Sequence, residues 1–126
     1  MDIGVLTVPL GDQPLDETLA YLDGIGVDAV EIGCGGYPGS DHLDRAELLD
    51  DEAGQAAFHD LLDEHDLRVS ALATHNNPLH PDDDRAATAD TELREAITLA
   101  DQLGVNTVTC FSGLPAGGPN DEGPNW

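Results

Sequence analysis

Ile25-Gly26-Val27-Asp28-Ala29-Val30-Glu31-Ile32 decides the fold, because the chain returns to it. Leu103-Gly104-Val105-Asn106-Thr107-Val108-Thr109-Cys110 closely resembles it, and a weaker copy, His65-Asp66-Leu67-Arg68-Val69-Ser70-Ala71-Leu72, lies between them. The intervals are 40 residues from Gly26 to Asp66 and 38 from Asp66 to Gly104. Each copy has the form of a helix that stops, at Gly in two of the three, and an apolar strand that begins a few residues later.

The segments leading into these stops have helical spacing. Leu15, Leu19, Leu22 and Ile25 share a stripe, with Asp16 and Glu17 in the first turn, where acids suit the helix dipole. Phe58, Leu61 and Leu62 mark a second helix between about residues 51 and 65. Leu93, Ile97, Leu99 (off centre), Ala100 and Leu103 mark a third, with Asp90 or Thr91 as the expected cap, while the Asp82-Asp83-Asp84 cluster reads as a helix start. Strands are expected at about 3–8, 29–32, 68–73 and 107–110, short and mostly apolar, as strands covered on both faces should be.

Strand alternating with helix at this period predicts an α/β fold built from parallel βαβ units. A doubly wound sheet would be favoured by a dinucleotide fingerprint. The nearest run, Gly33-Cys34-Gly35-Gly36-Tyr37-Pro38-Gly39, lacks the third glycine where it is needed and runs into Pro38 instead of opening a helix. A barrel remains. That fold needs about 250 residues, and the 126 here hold four strands and three full helices before a loop rich in Gly and Pro from 114 to 126. The expectation is one partial domain over residues 1–126, the amino half of a TIM barrel.

Charge narrows the partners. The chain carries 26 acidic residues against 4 basic ones, all arginine, for a formal net charge of -22. The acids are scattered between apolar periodic segments rather than blocked into a tail, which predicts acidic solvated faces and a protein adapted to high salt, where self-repulsion is screened. Such a surface argues against a nucleic-acid partner, which needs Lys and Arg. Cys34 and Cys110 form no zinc spacing and fit a reducing cytoplasm. The start, Met1-Asp2-Ile3-Gly4-Val5-Leu6, has neither a basic region nor a long apolar run, so neither a signal peptide nor a membrane partner is expected.

In a barrel the working residues lie at the carboxyl ends of the strands. Thr7 ends the first strand and could meet a substrate hydroxyl or serve as a turn residue held by local backbone. Glu31 alternates with apolar Val30 and Ile32, so it should face the barrel interior if they face the helices. There it polarises a site or anchors loops. The run Ala73-Thr74-His75-Asn76-Asn77-Pro78-Leu79-His80-Pro81 places two histidines, two amides and two prolines at one strand end. Prolines stiffen the backbone, and imidazole moves protons near neutral pH. His75 is therefore the candidate catalytic residue, with Asn77 and His80 as substrate-binding candidates. His42, His59 and His65 are expected at the surface, and Cys110 as a packed thiol.

The run His75-Asn76-Asn77-Pro78-Leu79-His80-Pro81 resembles a stretch of the xylose-isomerase-like barrels, the sugar-phosphate isomerases and epimerases, with Asn76 where the family has glycine. Gly4 to Asp12, Val27 to Gly33 with Gly36-Tyr37-Pro38-Gly39, and Thr109-Cys110-Phe111-Ser112-Gly113 are similar too, in order along the chain. The resemblance implies a small sugar or sugar-phosphate substrate and proton transfer through an enediol. It also implies a divalent metal, whose usual ligands come from later strands than those present here. Self-association through open barrel edges is expected of four strands alone. Two other readings stand beside it: a non-catalytic fragment, and an apurinic-site endonuclease, which shares the barrel but wants a basic groove.

Overall fold

A computed structural model describes residues 1–118 and 120–124. Four strands, β1 (Gly4–Leu6), β2 (Ala29–Gly36), β3 (Arg68–His75) and β4 (Val108–Cys110), form one sheet in the order β1-β2-β3-β4. Every neighbouring pair is parallel. Sequential order with no reversal is the order of a barrel, since a doubly wound sheet changes direction at a switch point. The helices are α1 (Leu15–Gly24), α2 (Arg45–Leu48), α3 (Glu52–Asp63) and α4 (Asp83–Gln102).

The repeat in the sequence is a repeat in hydrogen bonding. Gly26, Asp66 and Gly104 all adopt positive φ, at 81°, 52° and 68°. The next residue in each copy reaches five residues back: Val27 N donates to Leu22 O (3.1 Å), Leu67 N to Leu62 O (3.1 Å) and Val105 N to Ala100 O (2.8 Å). This is a Schellman closure, and the residues it joins belong to the core or pack against it. It turns each helix directly into the next strand. Asp66 alone carries a side chain in this left-handed conformation, so Asp66→Gly should raise the unfolding free energy by about 0.5 kcal/mol, the relief of strain exceeding the added chain entropy. Urea denaturation of the two proteins checks this.

One face of the sheet makes the core. Val30, Ile32, Leu72 and Cys34 are fully buried with Leu19, Leu22 and Leu99 from the helices. The opposite face is set by register. Leu6 pairs with Glu31, Glu31 with Ala71, and Ala73 with Thr109, so these residues share the side opposite the core. Glu31 thus lies opposite Val30 and Ile32, as the alternation predicts.

Several boundaries differ from the sequence-based expectation. The first strand ends at Leu6, and Val8–Leu10 forms a 3-10 turn, because Pro9 has no N–H to continue the ladder. β2 runs through the glycines to Gly36, pairing with β3 across a register shift between Gly33 and Gly35. α4 starts at Asp83, in the acidic cluster rather than after Asp90 or Thr91, capped by Asp82, whose carboxylate accepts from Arg85 N at 3.1 Å. His42, expected at the surface, is 8% exposed: its Nε2 lies 3.0 Å from Gln13 O and 3.4 Å from Thr18 Oγ1, tying the β2–α2 loop to the start of α1. Among the described residues no helix is long and apolar enough to cross a membrane.

Candidate functional site

The carboxyl ends of β2, β3 and β4 open onto one cavity of about 570 Å³, lined by Tyr37, His75, Asn76, Asn77, His80, Arg85, Phe111 and Pro124. Three of the candidates, His75, Asn77 and His80, meet there. His75 is the last residue of β3, and its ring lies flat on that of Phe111, with centroids 4.7 Å apart and planes 15° from parallel. Its carbonyl accepts from Tyr37 N at 2.9 Å, which joins the end of β2 to the same point.

The amides after His75 hold the loop in shape. Asn77 Oδ1 accepts from Leu79 N (3.1 Å) and Leu114 N (2.7 Å), while its Nδ2 donates to Leu114 O (2.8 Å). This side chain stitches the β3 loop to the β4 loop as a strand would. Asn76 Nδ2 donates to Glu92 Oε2 at 2.9 Å, and Asn76 Oδ1 accepts from Asn77 N at 2.9 Å. His80 Nδ1 accepts from Asp82 N at 3.0 Å, so a neutral His80 carries its proton on Nε2.

Behind the loop lies an arginine that sequence reading passed over. Arg45, 13% exposed, reaches Glu95 Oε2 from Nε at 2.8 Å and Glu92 Oε1 from Nη2 at 3.9 Å, and its Nη1 donates to Cys34 O. Glu92 therefore connects Arg45 to Asn76. Glycine at position 35 makes room for this: a Cβ there would sit 2.5 Å from Arg45 Nη1. The only sequence signal was that Arg45 is one of four cations among 26 acids.

Two candidates lie apart from the cavity. Thr7 is fully buried, and its hydroxyl has no hydrogen-bond partner among the described residues. Glu31 stands on the sheet face opposite the core, where Oε1 accepts from Thr109 Oγ1 at 2.6 Å. The end of the loop expected at 114–126 lies in part outside the described residues.

The two thiols contrast. Cys110, expected to be packed, is exposed, because it is the last residue of β4, which has a neighbour on one side only among the described residues. Cys34 is buried in the core, and burial pushes its thiol up to about 11, only partly offset by the Arg45 charge. In the native protein Ellman's reagent should modify Cys110 alone at pH 8, and both cysteines in denaturant. Because the folded state holds the Cys34 proton more tightly, the stability it supports is complete below pH 9 and falls as pH rises toward 11. Two native equivalents at pH 8 would contradict this.

Comparison with known proteins bears on the fold and on this site. The family model described as xylose isomerase-like TIM barrel matches residues 19–125. YfiH, an uncharacterized protein of Bacillus subtilis (strain 168), is 34% identical over 126 residues, which cover 100% of this chain and 40% of YfiH. The chain thus spans well under half the length of that relative.

Proposed function

Because the chain belongs to the xylose isomerase-like TIM barrel family, we propose that its β2, β3 and β4 loops form part of the sugar site of an isomerase or epimerase. One observation carries this reading: the strand ends deliver His75, His80 and Arg85 to a single cavity with an aromatic wall. In such a reaction a proton leaves the carbon beside a carbonyl and returns to the neighbouring carbon or to the opposite face. His75 is the group of this chain suited to carry or steady that proton, since its ring orientation is fixed by Phe111 and its backbone by Tyr37. His80 and Arg85 present donors to substrate hydroxyl or phosphate oxygens, and Asn77 acts by holding the loops.

Members of the family commonly use a divalent metal. The residues present do not fit one: among the described residues no three His, Cys, Asp or Glu side chains gather to hold a metal ion. Glu31, the carboxylate on the sheet face opposite the core, has Thr109 as its partner. The steps assigned to this chain are therefore substrate binding and proton handling at His75. In this proposal further barrel strands, from a longer polypeptide or a second copy, complete the ring along β1 and β4.

The test follows the proton. Protein in the assembled form that completes the ring, assayed in molar KCl and D₂O with aldose–ketose and epimer pairs, should exchange the hydrogen beside the carbonyl, and His75→Ala should abolish exchange. Unchanged exchange in His75→Ala would remove that residue from the site. Absence of exchange with every pair would sink the isomerase reading.

A further inference from the structure

Two exposed aromatic side chains meet in the cavity wall. The chain has two tyrosines, two phenylalanines and one tryptophan, and Trp126 lies outside the described residues. Phe58 is in the core, and Tyr21 lies on α1, away from the cavity. The remaining two, Tyr37 at 85% exposure and Phe111 at 48%, both line the cavity. Tyr21 is exposed too, at 54%, but stands alone on α1, whereas Tyr37 and Phe111 come together where three strand ends converge.

Beside the His75 ring and the Tyr37 hydroxyl, which can donate or accept, the polar groups around this wall offer donors. The side-chain amide oxygens of Asn76 and Asn77 are taken by backbone N–H groups. His80 keeps Nε2–H for the cavity, because its Nδ1 already accepts from Asp82. Arg85 adds a guanidinium, which only donates. A fitting ligand has a broad face of C–H groups and a rim of acceptor oxygens.

We propose that the cavity selects a sugar in its closed-ring form, seating one ring face on Phe111 and Tyr37 and turning its hydroxyl oxygens toward His80 and Arg85. Ring C–H bonds carry slight positive charge, and the face of an aromatic ring is negative, so an axial C–H face and a phenyl face attract while both leave water. An open-chain polyol of the same formula presents no such face and loses more rotational freedom on binding. One face of Phe111 rests on His75, which fixes the platform before the sugar arrives. The volume of about 570 Å³ accommodates a single pyranose ring with its hydration water. Phe111 and Tyr37 are thus specificity residues. This inference rests on the sugar-site reading above.

The test compares a locked ring with an open chain. Methyl α-D-glucopyranoside cannot open and cannot be isomerised, so its binding is independent of turnover; sorbitol is the six-carbon open chain. Titrations followed by ¹H–¹⁵N spectra of the full protein in molar KCl should show the glycoside binding at least tenfold tighter than sorbitol. Phe111→Leu, which keeps an apolar side chain in place, should cut glycoside affinity about tenfold and leave the weak sorbitol binding unchanged. Tyr37→Ala, at an exposed position that leaves folding undisturbed, should weaken the glycoside likewise. Equal affinity for the two probes, no glycoside binding, or full affinity in both variants would overturn the inference. Hydrogen exchange by a protein that shows no ring preference would sink the platform while the isomerase reading survives. Adenosine binding in place of either sugar would sink both.

Discussion

Arg45→Ala is expected to lower the unfolding free energy by about 3 kcal/mol, near the lower end for a buried charge pair that loses one partner. The guanidinium is 13% exposed and meets Glu95, Glu92 and the Cys34 carbonyl. Its removal leaves two carboxylates one helical turn apart on α4 with no nearby cation, in a chain already at -22. The effect should reach the site, because Glu92 also accepts from Asn76. Urea denaturation in molar KCl measures the first consequence. Amide shifts at Asn76 and Asn77 report the second. Arg45→Met, which keeps most of the stem, should recover part of the packing and none of the pairing. A loss below about 0.5 kcal/mol in Arg45→Ala would mean that the cluster behaves as an ordinary surface pair.

Gly36→Ala should cost about 2–4 kcal/mol, from two independent causes. The residue sits at φ 66°, in the left-handed region. Space is also closed: an added Cβ would lie 2.6 Å from His75 O and 2.9 Å from Asn76 N, backbone atoms that cannot swing aside. The end of β2 would be forced away from β3 at the residue that receives the Tyr37 hydrogen bond. Loss of stability should therefore come with loss of ligand response at His75. Wild-type stability with normal binding would show that β2 and β3 do not approach this closely.

The same two sites show what the sequence could and could not reveal. The repeat was legible because three helix ends use one closure, and that closure demands positive φ and apolar neighbours at fixed spacing. Strand alternation was enough to set Glu31 opposite Val30 and Ile32. The first turns of α4 were marked only by the Asp82-Asp83-Asp84 cluster, because residues 83–92 carry alanines and charges rather than an apolar stripe, and propensity speaks there while periodicity is silent. The extension of β2 through Gly33, Gly35 and Gly36 had no side-chain pattern to announce it. Partners far apart in the chain were invisible for the same reason. Arg45 and Glu92 are 47 positions apart, His42 and Thr18 24, and nothing local encodes either contact. His75 could be singled out from its loop, yet the ring that holds it, Phe111, comes from another strand.

The most direct measurement is the proton spectrum of the His75 ring. With Phe111 stacked at 4.7 Å, the His75 ring protons should lie clearly upfield of those of His59 and His65, and should return downfield in Phe111→Leu. Cross-relaxation between the two rings should be present. His75 resonances at ordinary positions, with no contact to Phe111, would mean that the ends of β3 and β4 do not meet at one site.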